Sequence, residues 1–498
     1  MAAENYLAID LGAESGRAML GRLEDERLSL EEVHRFPNGP VHVHGHLFWD
    51  VLRMWNEILH GLRQAVAHGQ GRLASLGVDT WGVDFGLLDA AGNLIGNPYH
   101  YRDHRTDGML DAVFARLPKQ AIYHQTGIQF MQINSLYQLF SMRVQQDPAL
   151  DCAATLLTMP DLFNYWLTGR IANEFTIATT TQCFNPTSTD WAWDLLAALE
   201  IPTHLFQPII QPGLILADVR PELIQEAGLP ELPVVAVGSH DTASAVAAVP
   251  AESGRIVFIS SGTWSLVGSE TTQPVISEQS LAFNFTNEGG VNGTYRFLKN
   301  IIGLWLIQEC RRTWSAAGQE YSYAELTRLA AEAPPFRSLV DPNAAEFLSP
   351  GEMPERVKRY CLAHGQPAPS TVGEFVRCAL ESLALAYRKA IGQMEQALGY
   401  PLDVIHILGG GSQNRLLNQF TADATQKPVV AGPVEATAIG NVLVQAMALG
   451  QLSSLAEARQ LVRRSFPVEV FEPGLSAAWD EAYERWLTLN EPPGGNIQ

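Results

Sequence analysis

Asp10 ends the apolar run Tyr6–Asp10 and stands directly before the polar turn Leu11–Arg17. A carboxylate in that place can hold hydrated Mg2+ beside phosphate oxygens; an Asp that only shapes the turn is the plainer alternative. Two more turns rich in Gly, Ser and Thr follow apolar runs, at residues 260–264 and 409–412. Such turns aim successive backbone N–H groups into a concavity suited to phosphate, and Gly lets the backbone approach a ligand closely. One turn alone reads as a hairpin. Three, two of them at equivalent places in a repeated pattern, point to nucleotide binding. Asp241 follows the apolar run that opens at Pro233, so it falls at the C-terminal end of a buried strand. Ligands of α/β proteins gather at such ends. A carboxylate there can take the proton of a hydroxyl during in-line phosphoryl transfer. The plainer reading makes Asp241 the cap of a helix beginning at Thr242.

His42, His44 and His46 alternate, which on a strand would put all three on one face, where they could hold a metal. A solvated loop or edge strand is the plainer reading. Trp81-Gly82 follows the strand Ser75–Asp79 and offers a wall for a sugar, with aromatic core packing as its alternative. The phosphate-loop pattern GxxxxGK[ST], a GxGxxG opening a helix, HExxH and GxSxG are all missing from the sequence. Their absence removes support for a P-loop enzyme, a dinucleotide enzyme, a zinc protease and an α/β-hydrolase.

These residues need elements to position them. Residues 6–22 read as strand, tight turn, strand. Leu52, Trp55, Leu59, Leu62 and Val66 recur at helical spacing between Asp50, a natural N-cap, and Gly69. A strand follows at Leu73–Val78, and Val83–Leu88 with Leu94–Asn97 read as a hairpin around Gly92. The order strand, turn, strand returns at Arg255–Ser260, Ser261–Trp264 and Ser265–Gly268. That repetition predicts two domains of one topology, 1–250 and 251–498, with the boundary near Pro250–Gly254. Later come a long helix to Leu398 with a Thr371/Glu374 capping box and Gly399 as its stop, the strand Val404–Leu408, and helices from Asn414 and Ala436. A polar tail follows Glu491.

The chain has 498 residues, 46% of them hydrophobic, enough for two cores. A formal net charge of −20 disfavours nucleic acid and anionic membranes as partners. Five scattered cysteines without a CxxC pair suit a reducing cytoplasm. Cys361 and Cys378 are the one pair considered for oxidation. No signal peptide or apolar spanning stretch is read, so a cytoplasmic protein is expected.

Several segments together resemble the FGGY carbohydrate kinases. They are Asp10–Arg17, Val78–Phe85, Tyr101–Arg105, Met159–Asp161 with Leu167–Gly169, Ala178–Gln182 and Ser239–Ala245. The second half adds Ser260–Ser265, Thr286–Gly290, Leu298–Ile301, Gly409–Asn414 and Ala431–Asn441. The resemblance runs from about Tyr6 to Phe471. It implies a two-domain, actin-like (RNase H-like) α/β ATPase fold with ATP and sugar in an interdomain cleft, the first domain serving sugar and base and the second serving nucleotide. Asp241 then matches the general base. Ala13, Glu14, Ser15, Gly16 and Arg17, with Thr263, Gln308 and Gly410, match ATP-binding positions. Gly82, His240, Asp241, Thr242 and Asn300 match sugar-binding positions, and Asp10 and Asp241 match carboxylates beside Mg2+. Relatives often carry Ser where this chain has Glu14. The implied reaction moves the γ-phosphate of ATP to O1 of a ketose, with L-rhamnulose the first choice.

The alternatives are the same fold acting on L-fuculose, a xylulose or glycerol, and an actin-like sugar-binding regulator. The regulator would carry a DNA-binding module ahead of the core, for which a first strand at Tyr6 leaves no room. A chaperone-like ATPase would want a substrate-binding domain after the core.

Overall fold

The computed structural model describes residues 4–489 except 70, 71, 230, 253, 475 and 476, so the tail after Glu491 lies outside the described residues. The chain forms two compact units. Unit 1 gathers residues 1–250, 270–297 and 436–466; unit 2 gathers 251–269, 298–435 and 467–498.

Unit 1 is built on six strands: β1 (Glu4–Leu11), β2 (Ser15–Glu24), β3 (Arg27–Pro37), β4 (Ser75–Thr80), β5 (Leu214–Asp218) and β6 (Pro233–Ala236). Their order is β5-β6-β4-β1-β2-β3. β1, β2 and β3 form an antiparallel meander, β4 and β6 run parallel to β1, and β5 closes the edge antiparallel to β6. Tyr6, Leu7, Ala8, Ile9 and Leu11 are all buried, as expected of a central strand covered on both faces. Helix Val51–His68 starts where Asp50 accepts the Arg53 N–H at 3.1 Å. It buries Val51, Met54, Ile58, Leu62 and Ala65, while Leu52 is 58% exposed. Of the expected stripe Leu52, Trp55, Leu59, Leu62 and Val66, Leu62 is buried, Trp55, Leu59 and Val66 pack partly buried on the core, and Leu52 faces out, so the stripe is centred about one residue earlier than the spacing suggests. The helix is apolar over a wide arc, and spacing alone does not say which part of the arc meets the sheet. The segment after Trp81 also differs from a simple hairpin. The hairpin around Gly92 closes as a short one, with Leu88 bridging Leu94 and the Ile95 N–H donating to the Leu87 carbonyl at 2.8 Å, while Phe85–Leu88 pairs along its length with Thr155–Thr158.

Unit 2 repeats the plan with β7 (Ile256–Ser261), β8 (Trp264–Thr271), β9 (Val404–Leu408), β10 (Val429–Ala431) and β11 (Glu469–Phe471). β8 is antiparallel to β7, β9 and β10 are parallel to β7, and β11 closes antiparallel to β10. The match with unit 1 thus extends to the reversed edge strand. Helix Val372–Leu398 begins at the complete Thr371/Glu374 capping box and stops at Gly399, whose φ is +76°. It packs on helices Tyr323–Glu332 and Arg415–Thr425. Cys361 and Cys378 are free thiols buried in one apolar cluster of this unit.

A later segment also belongs to unit 1. Helix Ala436–Ala448 lies against β1, β4 and helix Asp241–Ala247. A Cβ on Gly440 would lie 1.7 Å from the Ser244 carbonyl oxygen, so the two helix backbones meet where only Gly fits. Among the described residues no helix is long and apolar enough to cross a membrane.

Candidate active site

In unit 1 the carboxyl ends of the adjacent parallel strands β1, β4 and β6 bring three aspartates together. Asp10 stands opposite Asp79 in the parallel register of β1 and β4, and side chains in register share a face. Thr80 N–H donates to the Ser239 carbonyl at 2.9 Å and bridges His240, which brings Asp241 alongside. Asp79 was not singled out in the sequence, although it ends a strand just as Asp10 does. It is fully buried, and Asn441 Nδ2 donates to its Oδ2 at 2.6 Å. Burial, then the charge of Asp10, raises the Asp79 carboxyl well above its ordinary range, with Asn441 working against them. Asp241 is also raised, by burial first; His240 pulls it down and Asp10 pushes it up.

Asp241 is the first residue of helix Asp241–Ala247, with His240 in the cap position. The plainer reading of Asp241 as a helix cap therefore misses by one residue. Its Oδ1 accepts the backbone N–H of Thr242 at 2.5 Å and the Thr242 hydroxyl at 3.0 Å. His240 Nε2 lies 3.4 Å from Asp241 Oδ1. Behind His240 stand Glu288 and Arg296, which sequence spacing had not marked as chemical residues. Burial pushes the Glu288 carboxyl up, but His240 and the Arg296 charge more than offset this and hold it low.

The β1–β2 turn is tight. Gly12 N–H donates to the Ser15 carbonyl at 2.9 Å, and Asn38 ties down the Gly12 and Glu14 carbonyls. Glu14 is exposed and Ala13 and Ser15 half-buried. A Cβ on Gly16 would lie 2.2 Å from the Phe36 ring. Arg17 pairs with Asp10, placing one guanidinium and one carboxylate at the mouth of the turn. Gly82 packs 3.2 Å from Thr180 at its would-be Cβ, and Val83 beside it takes φ +70°. A β-branched residue there is strained, and Thr180 Oγ1 accepts its N–H at 3.1 Å. Trp81 is core: its ring centroid lies 4.0 Å from that of Trp49, the planes tilted by 33°, and both indoles donate to Asp84 Oδ2, at 2.9 and 2.6 Å.

Unit 2 gathers Thr263 and Gly410 at the ends of the parallel pair β7 and β9. The Thr263 carbonyl accepts Gly303 N–H at 3.0 Å, and a Cβ on the neighbouring Gly411 would meet Ser261 Oγ at 2.0 Å. Gln308 lies on helix Trp305–Ala316, and its buried Oε1 has no protein partner among the described residues. Asn300 lies on strand Tyr295–Ile302.

The three alternating histidines do not share a face. His44 and Gly45 form the turn of a hairpin, His42 stands opposite Leu47, and His46 stands opposite Val43. The turn moves His46 to the return strand, which breaks the alternation.

Two family models match the chain: the N-terminal domain of the FGGY family of carbohydrate kinases over residues 5–248, and its C-terminal domain over residues 257–449. The chain is 46% identical to a rhamnulokinase of Bacteroides thetaiotaomicron, over 96% of this chain and 98% of that one. It is 41% identical to a rhamnulokinase of Bacillus subtilis, over 94% and 95%. Its fold is similar to that of a ligand-bound xylulose kinase from Lactobacillus acidophilus, with a TM-score of 0.80 at 15% identity, covering 98% and 96% of the two chains. It is also similar to Plasmodium falciparum glycerol kinase with ADP, with a TM-score of 0.77 at 15% identity over 97% of each chain. The fold is the actin-like one of sugar kinases, and the chain, matched by both domain models over most of its length, belongs to the FGGY family of carbohydrate kinases.

Proposed function

We propose that the chain transfers the γ-phosphate of ATP to O1 of L-rhamnulose, giving L-rhamnulose 1-phosphate and ADP, and that it works in the cytoplasm. The observation that carries this reading is the carboxylate group of unit 1. Asp241 heads a helix beside His240, with Asp10 and Asp79 at the ends of the neighbouring strands. Similarity to rhamnulokinases over nearly the whole chain supports the choice of sugar.

In this reading Asp241 accepts the proton of the attacking hydroxyl, and burial, helped by the charge of Asp10, keeps its carboxylate basic. Gly82, His240, Thr242 and Asn300 hold the sugar. Ala13 to Arg17 hold the phosphates by backbone N–H groups and the Arg17 guanidinium. Thr263, Gln308 and Gly410 serve the nucleotide, so residues 1–250 carry the base, the phosphate turn and the sugar contacts other than Asn300, and residues 251–498 the remaining nucleotide contacts. The all-oxygen donor set of Asp10 and Asp241 suits Mg2+. When bound, that ion neutralises charge on the phosphates. Arg17 balances Asp10 by direct pairing.

The test is ADP release with Mg-ATP against L-rhamnulose, L-fuculose, D-xylulose, L-xylulose and glycerol. A clear preference for L-rhamnulose supports the proposal. Preference for another sugar overturns the substrate and keeps the kinase. No sugar-stimulated release from folded, ATP-binding protein overturns both.

A further inference from the structure

The hairpin Pro40–Trp49 and the loop around Asp103 belong to unit 1 and take no part in the chemistry proposed above. They bring together His46, Asp103 and His104, whose ligand atoms all lie within 4.8 Å of one another. Among the described residues no other group of three or more His, Cys, Asp or Glu brings its ligand atoms this close. We infer that these three side chains form a site for a divalent transition cation of the Zn2+, Co2+ or Ni2+ class, separate from any Mg2+ that accompanies ATP.

The geometry is close to what such an ion requires. Metal–ligand bonds of about 2.0–2.1 Å in a tetrahedral set put neighbouring ligand atoms about 3.3 Å apart. His46 Nδ1 lies 3.2 Å from Asp103 Oδ1 and 3.3 Å from Oδ2. His104 Nδ1 lies 3.8 Å from Asp103 Oδ2. Its side chain is 62% exposed, so the ring can move the remaining few tenths of an ångström without disturbing the core. The two imidazoles are stacked, centroids 4.9 Å apart and planes 17° from parallel.

Asp103 is held in place for this role. Its Oδ2 accepts the Leu47 N–H at 2.7 Å, and its Oδ1 accepts the Arg105 N–H at 3.0 Å. Each oxygen keeps a lone pair, because a carboxylate accepts at about four sites. Fixed outer partners of this kind are what orient a metal ligand. The nearby Arg105 charge opposes a cation, but Asp84 is its strongest electrostatic partner and its guanidinium lies 3.9 Å from the Tyr99 ring centre. Two imidazole nitrogens and one carboxylate select borderline transition ions over Mg2+ or Ca2+. Three protein ligands with an exposed fourth side leave a coordination position open. A bound ion would staple the hairpin to the Asp103 loop, and the hairpin carries Trp49, whose indole donates to Asp84 near Gly82.

The test uses the full chain without an affinity tag, stripped of metal and nucleotide. Zn2+ binding is measured by equilibrium dialysis, Co2+ by its visible absorption, and stability by thermal melting. The expected result is a single equivalent bound, a raised Tm with Zn2+ but not with Mg2+, and loss of at least about tenfold in affinity in both His46→Ala and His104→Ala. The His68→Ala variant, altered at an exposed histidine paired with Glu31, should bind as the parent does. Absence of stoichiometric binding overturns the inference. Binding that neither His46→Ala nor His104→Ala weakens places the ion elsewhere and overturns it too.

Discussion

Arg296 Nη2 lies 3.0 Å from His240 Nδ1, and the Arg296 side chain is fully shielded from solvent. A guanidinium only donates and a carboxylate only accepts, so Nδ1, with Glu288 Oε2 also 3.2 Å away, stands between a donor and an acceptor, while Nε2 faces Asp241. Glu288 Oε2, 3.3 Å from Arg296 Nη2, supplies the counter-charge. Removing Arg296 alone leaves that carboxylate buried without its permanent counter-charge, with only His240 beside it. Arg296→Met should therefore cost about 3–5 kcal/mol and lower kcat, because His240 loses its fixed orientation. The double variant with Glu288→Gln should melt above the single. Melting curves and ADP-release kinetics on both variants check this; equal melting of single and double would refute it.

Asp241→Asn keeps the shape of the side chain and its position at the helix start but cannot take a proton. Turnover should fall about 10²–10⁴-fold, with melting temperature and ATP affinity near those of the parent. Near-normal turnover would remove Asp241 from the role of base.

Gly440→Ala tests whether remote packing sets the position of the base. An Ala in mid-helix normally gains about 1 kcal/mol over Gly. Here its Cβ would sit 1.7 Å from the Ser244 carbonyl, so helix Asp241–Ala247 must move. Overpacking of this kind costs about 1–3 kcal/mol, and the clash should outweigh the propensity gain. We expect a lower Tm together with a lower kcat, since Asp241 heads the displaced helix. An unchanged kcat would show that the helix absorbs the clash without moving its first turn.

A buried pair behind the site, where Glu174 Oε2 accepts the Ser239 N–H at 3.3 Å, gives a pH-dependent stability. Burial drives Glu174 up to about 8 and Asp161 up to about 7, from ordinary values of 4.5 and 3.8. Between the ordinary and raised values the folded chain binds more protons than the unfolded chain. Stability from this pair therefore falls as pH rises across that window. The Tm of Glu174→Gln should depend less steeply on pH than the parent's between about pH 5 and 8. Parallel slopes would show that Glu174 is ionised throughout.

The strand–turn–strand repeats were legible because apolar runs with Gly between them leave few alternatives, and both hairpins formed with their predicted turns. The long helix was legible because its capping box and Gly stop act locally. The buried stripe of helix Val51–His68 was not, since the choice of face depends on a sheet assembled from distant strands. Asp10, His240 and Asp241 stood out by their position at strand ends. Asp79, Glu288 and Arg296 did not, because their partners lie far off in sequence: Asn441 for Asp79, and His240 for the other two. For the same reason His46 looked like part of a run with His42 and His44, whereas its neighbours in space are Asp103 and His104.

Helix Ala436–Ala448 belongs to a unit whose first strand starts at Glu4. During synthesis on the ribosome, Asp79 waits for Asn441, and helix Asp241–Ala247 waits for Gly440, until almost nine-tenths of the chain has been made. The first unit to begin emerging is thus among the last to be finished. A nascent chain stopped near residue 250 would present β1 and β4 with a bare apolar flank, a natural target for chaperones and proteases.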